Sequence, residues 1–441
     1  MLKVLSNRTY RHLFLAQCIA LVGTGLATIA LSLLAYNLAD GNAGAVLGTA
    51  LAIKMIAYVS MAPIAAAFAE QLPRRMVLVT LDLVRAGIAV LLPFVTEIWQ
   101  VYVLIFILQS ASAAFTPTFQ ATIPDVLPDE KDYTQALSLS RLAYDLESVI
   151  SPMLAAALLT VISFQGLFAG TVLGFLASAV LVVSVILPGA KAVERNGIYD
   201  RTTRGLRIYL ATPRLRGLLT INLAVAAAGA MVIVNTVVIV QAEFGLNERA
   251  TAFALASFGS GSMLAALLLP RLLDHIPDRR VMLTGSLILV IALFSGSFIS
   301  DYLLLLPLWF IFGLGYSLSQ VPSGRLLRRS SLPEDRPSLF AAQFALSHAC
   351  WLITYPLAGW LGAKAGLSLT FICLGLVAGT AAFAASRIWP VHDPEQMEHQ
   401  HDMLDADHPH LIEYAADPDT PHRHSHAFVI DGNHKKWPVS S

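Results

Sequence analysis

Twelve stretches of the chain are apolar over about 20 residues, the length a helix needs to cross the hydrocarbon core of a bilayer. They lie near residues 12–38, 44–69, 76–95, 99–121, 134–160 and 164–187, and again near 217–242, 250–273, 281–300, 302–324, 338–363 and 366–389. Short polar turns separate them, and one longer basic segment, 188–216, divides the spans six and six. The pattern predicts an all-α membrane protein of twelve transmembrane helices. The expected organisation is a six-helix bundle over 1–187, a linker over 188–216, a second six-helix bundle over 217–389 and a tail over 390–441.

The two sets of spans carry the same landmarks in the same order, offset by 204 or 205 positions. Glu70-Gln71-Leu72-Pro73 with Arg74 and Arg75 matches Asp274-His275-Ile276-Pro277 with Arg279 and Arg280. Pro117 matches Pro322, the loop from Leu127 to Lys131 matches Leu332 to Arg336, and Pro152 matches Pro356. Gly170 and Gly174, spaced for close helix packing, match Gly375 and Gly379. The series implies duplication of a six-helix unit. Because six is even, equivalent helices point the same way, so the halves are parallel repeats about an axis along the membrane normal.

Composition agrees with a membrane body. Of 441 residues, 56% are hydrophobic and only 13% charged, against about 25% charged in soluble proteins. The zero net charge is a cancellation: ten acidic residues against Arg423, Lys435 and Lys436 make the chain from His392 onward −7, leaving a body of +7. If the N-terminus is cytoplasmic, 24 of the 29 Lys and Arg fall in cytoplasmic segments or at their edges, as the positive-inside rule requires. Both termini are then expected on the cytoplasmic side of a bacterial inner membrane. Lys3, Arg8 and Arg11 precede an apolar run too long for a signal peptide. The linker, with Arg195, Arg201, Arg204, Arg207, Arg214 and Arg216, reads as a surface beside anionic lipid rather than a nucleic-acid site. Cys18, Cys350 and Cys373 fit neither a disulfide framework nor a zinc motif.

The loop after the second span, Ala66-Ala67-Phe68-Ala69-Glu70-Gln71-Leu72-Pro73-Arg74-Arg75, resembles the GxLaDrxGRR motif of the major facilitator superfamily, with Glu for Asp and Pro for Gly. Asp274 to Arg280 is a looser second copy. The resemblance extends over about residues 8–389 and implies a cytoplasmic latch involving Glu70, Arg74, Arg75, Asp274, Arg279 and Arg280, with Asp82 and Arg85 of the third span as further members. No phosphate loop, nucleophile elbow, HExxH or dinucleotide fingerprint occurs. A secondary transporter is therefore expected, not an enzyme or a nucleotide-driven pump.

Ionisable groups at membrane depth are costly and usually functional or paired. Lys54 lies in span 2, Arg141, Asp145 and Glu147 in span 5, and His348 in span 11. Arg141 and Asp145, four apart, share a helical face and can pair. Glu147 lies about 200° from Asp145, on a face with Tyr144 and Ser151. Under the repeat, that face corresponds to His348, Trp351 and Tyr355. Glu147 and His348 are thus expected to face one midplane cavity from opposite halves, with Lys54 able to neutralise a carboxylate there. Glu147, Asp145, His348, Lys54 and Arg141 are the candidates for transport and proton coupling.

From His392 the chain is rich in Asp, Glu, His and Pro, a composition expected to leave it disordered. It contains His399-Gln400-His401, His408-Pro409-His410 and His422-Arg423-His424-Ser425-His426. Alternate residues of an extended chain share a face, so each HxH pair can offer two imidazoles to one transition-metal ion. The tail, with Leu346-Ser347-His348-Ala349-Cys350-Trp351-Leu352 and Tyr355-Pro356-Leu357-Ala358-Gly359, resembles the bacterial nickel-resistance exporters of the superfamily. That resemblance implies efflux of Ni²⁺, with Co²⁺ as co-substrate, in exchange for protons. The expected partners are the metal ion, protons and the lipid bilayer, without nucleic acid or resident cofactor, and the chain is expected to be a monomer. An exporter of drugs, macrolides or siderophores with a metal-responsive tail is the alternative.

Overall fold

A computed structural model describes residues 2–38, 43–69, 72–188, 197–394, 396–400, 410–411, 423–431, 433–434 and 437–438. The first half comprises α1 (Arg8–Leu38), α2 (Ala43–Ala69), α3 (Arg74–Leu91), α4 (Ile98–Val126), α5 (Glu130–Leu158) and α6 (Phe164–Val183). After α7 (Gly197–Ala211) come α8 (Pro213–Val237), α9 (Glu248–Leu273), α10 (Asp278–Gly296), α11 (Tyr302–Gln320), the short α12 (Ser323–Arg329), α13 (Arg336–Ala365) and α14 (Leu367–Ile388). The membrane body is all-α, and among the described residues twelve long helices, α1–α6, α8–α11, α13 and α14, match the twelve apolar stretches. Among the described residues, nine segments are long and apolar enough to cross a bilayer, and a tenth, Ala52–Ala67, is shorter. The two remaining long helices, α5 and α13, carry ionisable groups that the site below uses.

Local chemistry sets the boundaries. Asp129, Asn247 and Asp301 accept backbone N–H bonds at the starts of α5, α9 and α11, which satisfies donors a helix start leaves open. Pro73 and Pro277 stand before α3 and α10. The expected single span over 302–324 is two helices, because Pro322 ends α11 and precedes α12; proline supplies no N–H to continue the ladder. The expected linker contains α7, which packs against α13 and α2.

The halves are built alike. α1 packs on α5 and α6, and α3 on α4 and α6; correspondingly, α8 packs on α13 and α14, and α10 on α11 and α14. α1 and α6 cross closely: a Cβ on Gly174 would lie 3.1 Å from the Ile19 carbonyl oxygen and 3.2 Å from the Gly23 Cα. Thr171 Oγ1 donates to the Gly23 carbonyl at this crossing, at 2.9 Å. A seam of small residues, Ala62, Ala66, Ala113, Ala341 and Ala345, joins α2 and α4 to α13 across the halves. Phe94, Val161, Leu173, Phe298 and Leu303 are exposed on the outside, a surface suited to lipid rather than water.

Among the described tail residues, imidazoles and a few apolar side chains lie together. β1 (Met397–Gln400) and β2 (Arg423–His426) pair antiparallel, with His399 opposite His424. Phe428 and Ile430 join the core of the second half.

Candidate functional site

A cavity of about 540 Å³ lies between the halves. It is lined by Lys54 and Tyr58 from α2, Arg141, Tyr144 and Glu147 from α5, and Phe344 and His348 from α13, among others. Lys54, Arg141, Glu147 and His348, inferred from sequence, therefore meet in one space. Lys54 and Glu147 both line this space, and the Lys54 ammonium sits 5.6 Å from the centre of the Tyr58 ring. Glu147 and Ser151 press against Gly25 of α1, where any Cβ would overlap both.

The geometry fixes the tautomer of neutral His348. Its Nδ1–H donates to the Phe344 carbonyl at 2.7 Å, and a carbonyl can only accept, so Nε2 carries a lone pair. The ring meets Tyr58 edge-on, 4.8 Å between centres, and Tyr58 is fixed by donating its hydroxyl to Gln109 Oε1 at 3.0 Å. Trp351 and Tyr355 of the same helix face pack against each other at a tilt, 4.9 Å between ring centres. Trp351 fills the space beside Gly229 of α8 instead of the cavity wall.

Asp145 lies behind the wall, 3% exposed and ion-paired with Arg141. Arg141 Nε donates to Ser262 Oγ of α9 at 3.1 Å, and its guanidinium lies 4.7 Å from the Tyr316 ring centre. The pair thus ties α5 to the opposite half. It is the internal salt bridge that the i, i+4 spacing allows.

The latch differs from the sequence expectation in membership. Asp82 and Arg85 pair with each other inside the first half. Ser178 Oγ donates to Asp82 Oδ2 at 2.8 Å, and the Arg85 guanidinium sits 4.0 and 4.5 Å from the Phe115 and Phe175 ring centres. Both residues lie on the buried face of α3, so they cannot bridge the halves, although Arg85 reaches the cavity wall. Arg75 donates to the Val183 carbonyl at the end of α6. Arg279 likewise donates to the Trp389 and Ser386 carbonyls, at 3.0 and 2.8 Å, at the end of α14. These two cap helix C-termini within their own halves. Arg280 is exposed, and Glu70 lies outside the described residues.

Arg74 does belong to the bridge: it pairs with Asp125, which also pairs with Arg336 of the second half. Arg325 of α12 pairs with Glu130 of the first half at 2.6 Å and with Asp278 at 3.1 Å. Lys131 and Asp274 approach to 3.7 Å, an exposed contact of small weight. Sequence reasoning missed Asp125, Glu130, Asp278, Arg325 and Arg336 as latch residues, although the repeat already aligned the loops that carry several of them.

At this same charged end, His399, His410, His424, His426 and His434 converge, each with one ring nitrogen within 4.8 Å of the others. His401, His408 and His422 lie outside the described residues. His434 had no HxH partner to mark it; it is folded in by a turn in which Asp431 N–H donates to the His434 carbonyl at 3.1 Å. The Nδ1–H groups of His399, His426 and His434 point to Met397 O at 3.0 Å, Ala427 O at 2.9 Å and Asp431 Oδ1 at 2.8 Å. Their Nε2 atoms turn inward: His399 and His434 approach to 2.9 Å, and His410 lies 3.1 Å from His424 and 3.3 Å from His426. When the rings are neutral, the His399 and His434 Nε2 atoms face each other as two lone pairs. Such an approach is favourable only with a shared cation between them, a proton or a metal ion. Separations of about 3.0 to 3.3 Å are also the edges of a coordination shell with metal–nitrogen bonds near 2.1 Å. Burial first, then the neighbouring imidazoles of His434 and His426, push the His410 pKa down to about 4, so it stays in the neutral form that binds metal. Burial opposes ionisation of Asp431, but its bonds from His434 outweigh that and hold its pKa below the ordinary value. A carboxylate behind a histidine orients and strengthens it as a ligand.

Comparison with known proteins places the architecture. The human organic anion transporter MFSD10 aligns with a TM-score of 0.75 at 13% identity, over 86% of this chain and 99% of that one. The Escherichia coli fucose:proton symporter FucP aligns at 0.69 with 13% identity, over 87% and 98%. In sequence, the uncharacterized MFS-type transporter YfiS of Bacillus subtilis is 23% identical over 351 residues, 74% of this chain and 81% of its own length. Macrolide efflux protein A of Streptococcus pyogenes is 23% identical over 177 residues, 39% of this chain and 43% of its own. The family model of the Major Facilitator Superfamily matches residues 13–221 and 218–405, and the chain belongs to that superfamily of transporters.

Proposed function

We propose that the protein exports a divalent transition-metal ion, nickel first and cobalt as a second cargo, in exchange for protons. It would do so from a bacterial inner membrane with both termini cytoplasmic, conferring metal resistance. The observation that carries this reading is the convergence of five histidines at the charged end, which would collect metal from the compartment the basic loops face. Glu147 and the His348 Nε2 offer a carboxylate and a lone pair to a cation in the cavity. In the cycle, protonation of Glu147 releases the ion on the far side, and its deprotonation on the near side readies the cavity for the next ion. Lys54 supplies the countercharge when the cavity is empty, and the halves rock about the cavity between the two states.

A second reading has its own support. A cavity of about 540 Å³ falls in the range of small-molecule sites, about 300–1,000 Å³, and is walled by Tyr58, Phe115, Phe119, Tyr144, Tyr316 and Phe344. Such a wall suits an organic cargo, and the macrolide efflux proteins are among the relatives. The tail would then be a metal-responsive regulator.

Uptake of Ni²⁺ into everted vesicles with an inside-acid gradient separates the two. Uptake that needs both protein and gradient, and is lost in Glu147→Gln, supports metal–proton antiport. Active vesicles that accumulate a macrolide but no Ni²⁺ or Co²⁺ would overturn it in favour of organic export.

A further inference from the structure

The tail is seated on two arginines of the second half. Arg214, 3% exposed at the start of α8, donates to Asp393 Oδ1 at 3.0 Å and to the Phe428 carbonyl at 3.2 Å, and its guanidinium lies 4.9 Å from the Trp437 ring centre. Arg329 donates to the Asp393 and Pro394 carbonyls at 2.5 and 2.7 Å. Arg329 is the last residue of α12. One turn earlier on that helix, Arg325 makes the cross-half ion pair with Glu130 and also donates to Thr134 Oγ1 of α5 at 2.9 Å. Arg328 donates to the Pro128 carbonyl of the first half, and Tyr133 OH donates to the Gly324 carbonyl at 3.2 Å. A seven-residue helix is therefore held by the opposite half along its length and by the tail at its end.

Apolar and imidazole side chains together hold the described tail residues in this seat. Phe428 and Ile430 enter the core with Met397 and Trp437 packed against it, and beside them the five imidazoles converge, with the neutral His399 and His434 Nε2 lone pairs facing each other at 2.9 Å. We propose that a borderline divalent ion, bound by the Nε2 atoms at this centre, locks the tail onto Arg214 and Arg329 and thereby holds α12 in the latch. Metal on the tail then favours the state closed at the charged end. Resting on the export reading, this is the step that follows loading, so the tail couples closure to the presence of metal on the side from which cargo is drawn. Imidazole and geometry suit Zn²⁺, Ni²⁺ and Co²⁺ alike. The central cavity is a separate site.

The test uses the full chain in nanodiscs with its three cysteines replaced and spin labels at Leu72 and His275, exposed turn residues of opposite halves. Diamagnetic Zn²⁺ is the probe, and bound metal is counted in parallel. The expected result is a Zn²⁺-dependent rise of about fivefold or more in the ratio of short- to long-distance populations. That rise should vanish in Arg329→Gln, which still binds Zn²⁺ at the tail. It should also vanish in His399→Ala/His434→Ala, which loses one bound ion. A wild type that binds the tail ion with unchanged distances would overturn the coupling and leave the metal centre standing. A shift that survives loss of the tail ion would assign the effect to the cavity and overturn the proposal. Equal metal counts in wild type and the double histidine variant would overturn the tail metal centre itself, while vesicle transport would still judge the export reading separately.

Discussion

Asp125 and Arg325 do the same work in opposite halves with opposite charge. Asp125, at the end of α4, is held between Arg74, which opens α3 of its own half, and Arg336, which opens α13 of the other. Arg325, on α12 after α11, is held between Asp278, which opens α10, and Glu130, which opens α5. Arg74 and Asp278 are equivalent under the 204 offset, and the other two members of each triad match in role, one central and one opening the facing helix, with the sign reversed. Two identical triads would give both halves the same net charge; the inverted pair leaves Arg74, Asp125 and Glu130 on one half with a net negative charge and Asp278, Arg325 and Arg336 on the other with a net positive one, so the halves attract.

Removing the central charge should loosen the closed end. Asp125→Asn leaves Arg74 and Arg336 close together, 4% and 13% exposed, and breaking a buried pair typically costs about 3–5 kcal/mol. Distance measurements between the halves should show the open population rising at least about tenfold. Arg336→Ala leaves Asp125 paired with Arg74 and should shift it less. Equal shifts would mean that Arg74 adds nothing to the bridge.

Gly25 sets the position of the proposed coupling carboxylate. A methyl group there would overlap Ser151 and Glu147 Oε1, and such overpacking usually costs about 1–3 kcal/mol. Gly25→Ala should lower transport about tenfold or more while the protein still reaches the membrane, because the carboxylate has room to move into the cavity. Gly87→Ala is the control: nothing lies within 4 Å of its Cβ position, and flux should be unchanged. Wild-type flux in Gly25→Ala would show that the position of Glu147 is not critical.

The spans and the repeat were legible because hydropathy and turn residues are local. So was the meeting of Lys54, Glu147 and His348, since the repeat relates α5 to α13. Partners distant in sequence were not. Arg74 and Asp125 are 51 positions apart, and Arg85 carries a motif-like spacing yet points inward, because its partners Phe115 and Phe175 lie on other helices. In the tail, HxH spacing correctly put His424 and His426 on one buried face of β2, with Ser425 exposed. It gave no account of His434. The Asp431-Gly432-Asn433 sequence is the signal that could have found it, since Asp, Gly and Asn favour a turn.

The carboxylate behind His434 should tune metal affinity without being a ligand. Asp431→Asn keeps the shape and the hydrogen-bond acceptor but removes the charge. Loss of such a partner typically weakens metal binding about 10–100-fold. Competition of tail-bound Zn²⁺ with a chelator at fixed pH should show this, with His434→Ala weaker still. Identical affinities in wild type and Asp431→Asn would mean that the carboxylate does not tune the site, and an unchanged affinity in His434→Ala that His434 is not among the ligands.

Where the tail is cut should decide what its removal reports. Deleting 392–441 takes away Asp393, Phe428 and Trp437 together, and leaves Arg214, 3% exposed, without its carboxylate. Loss of this ion pair together with the packing of Phe428 and Trp437 should lower the melting temperature and so confuse lost regulation with lost folding. Deleting 397–441 keeps Asp393 and Pro394, and with them the ion pairs to Arg214 and Arg329. That shorter deletion should be the more stable of the two and should weaken transport without abolishing it. Equal melting temperatures for the two truncations would show that Asp393 contributes nothing to the seat. Complete loss of flux in a stable 397–441 deletion would make the histidine centre an obligatory stage of transport instead of a regulator of the latch.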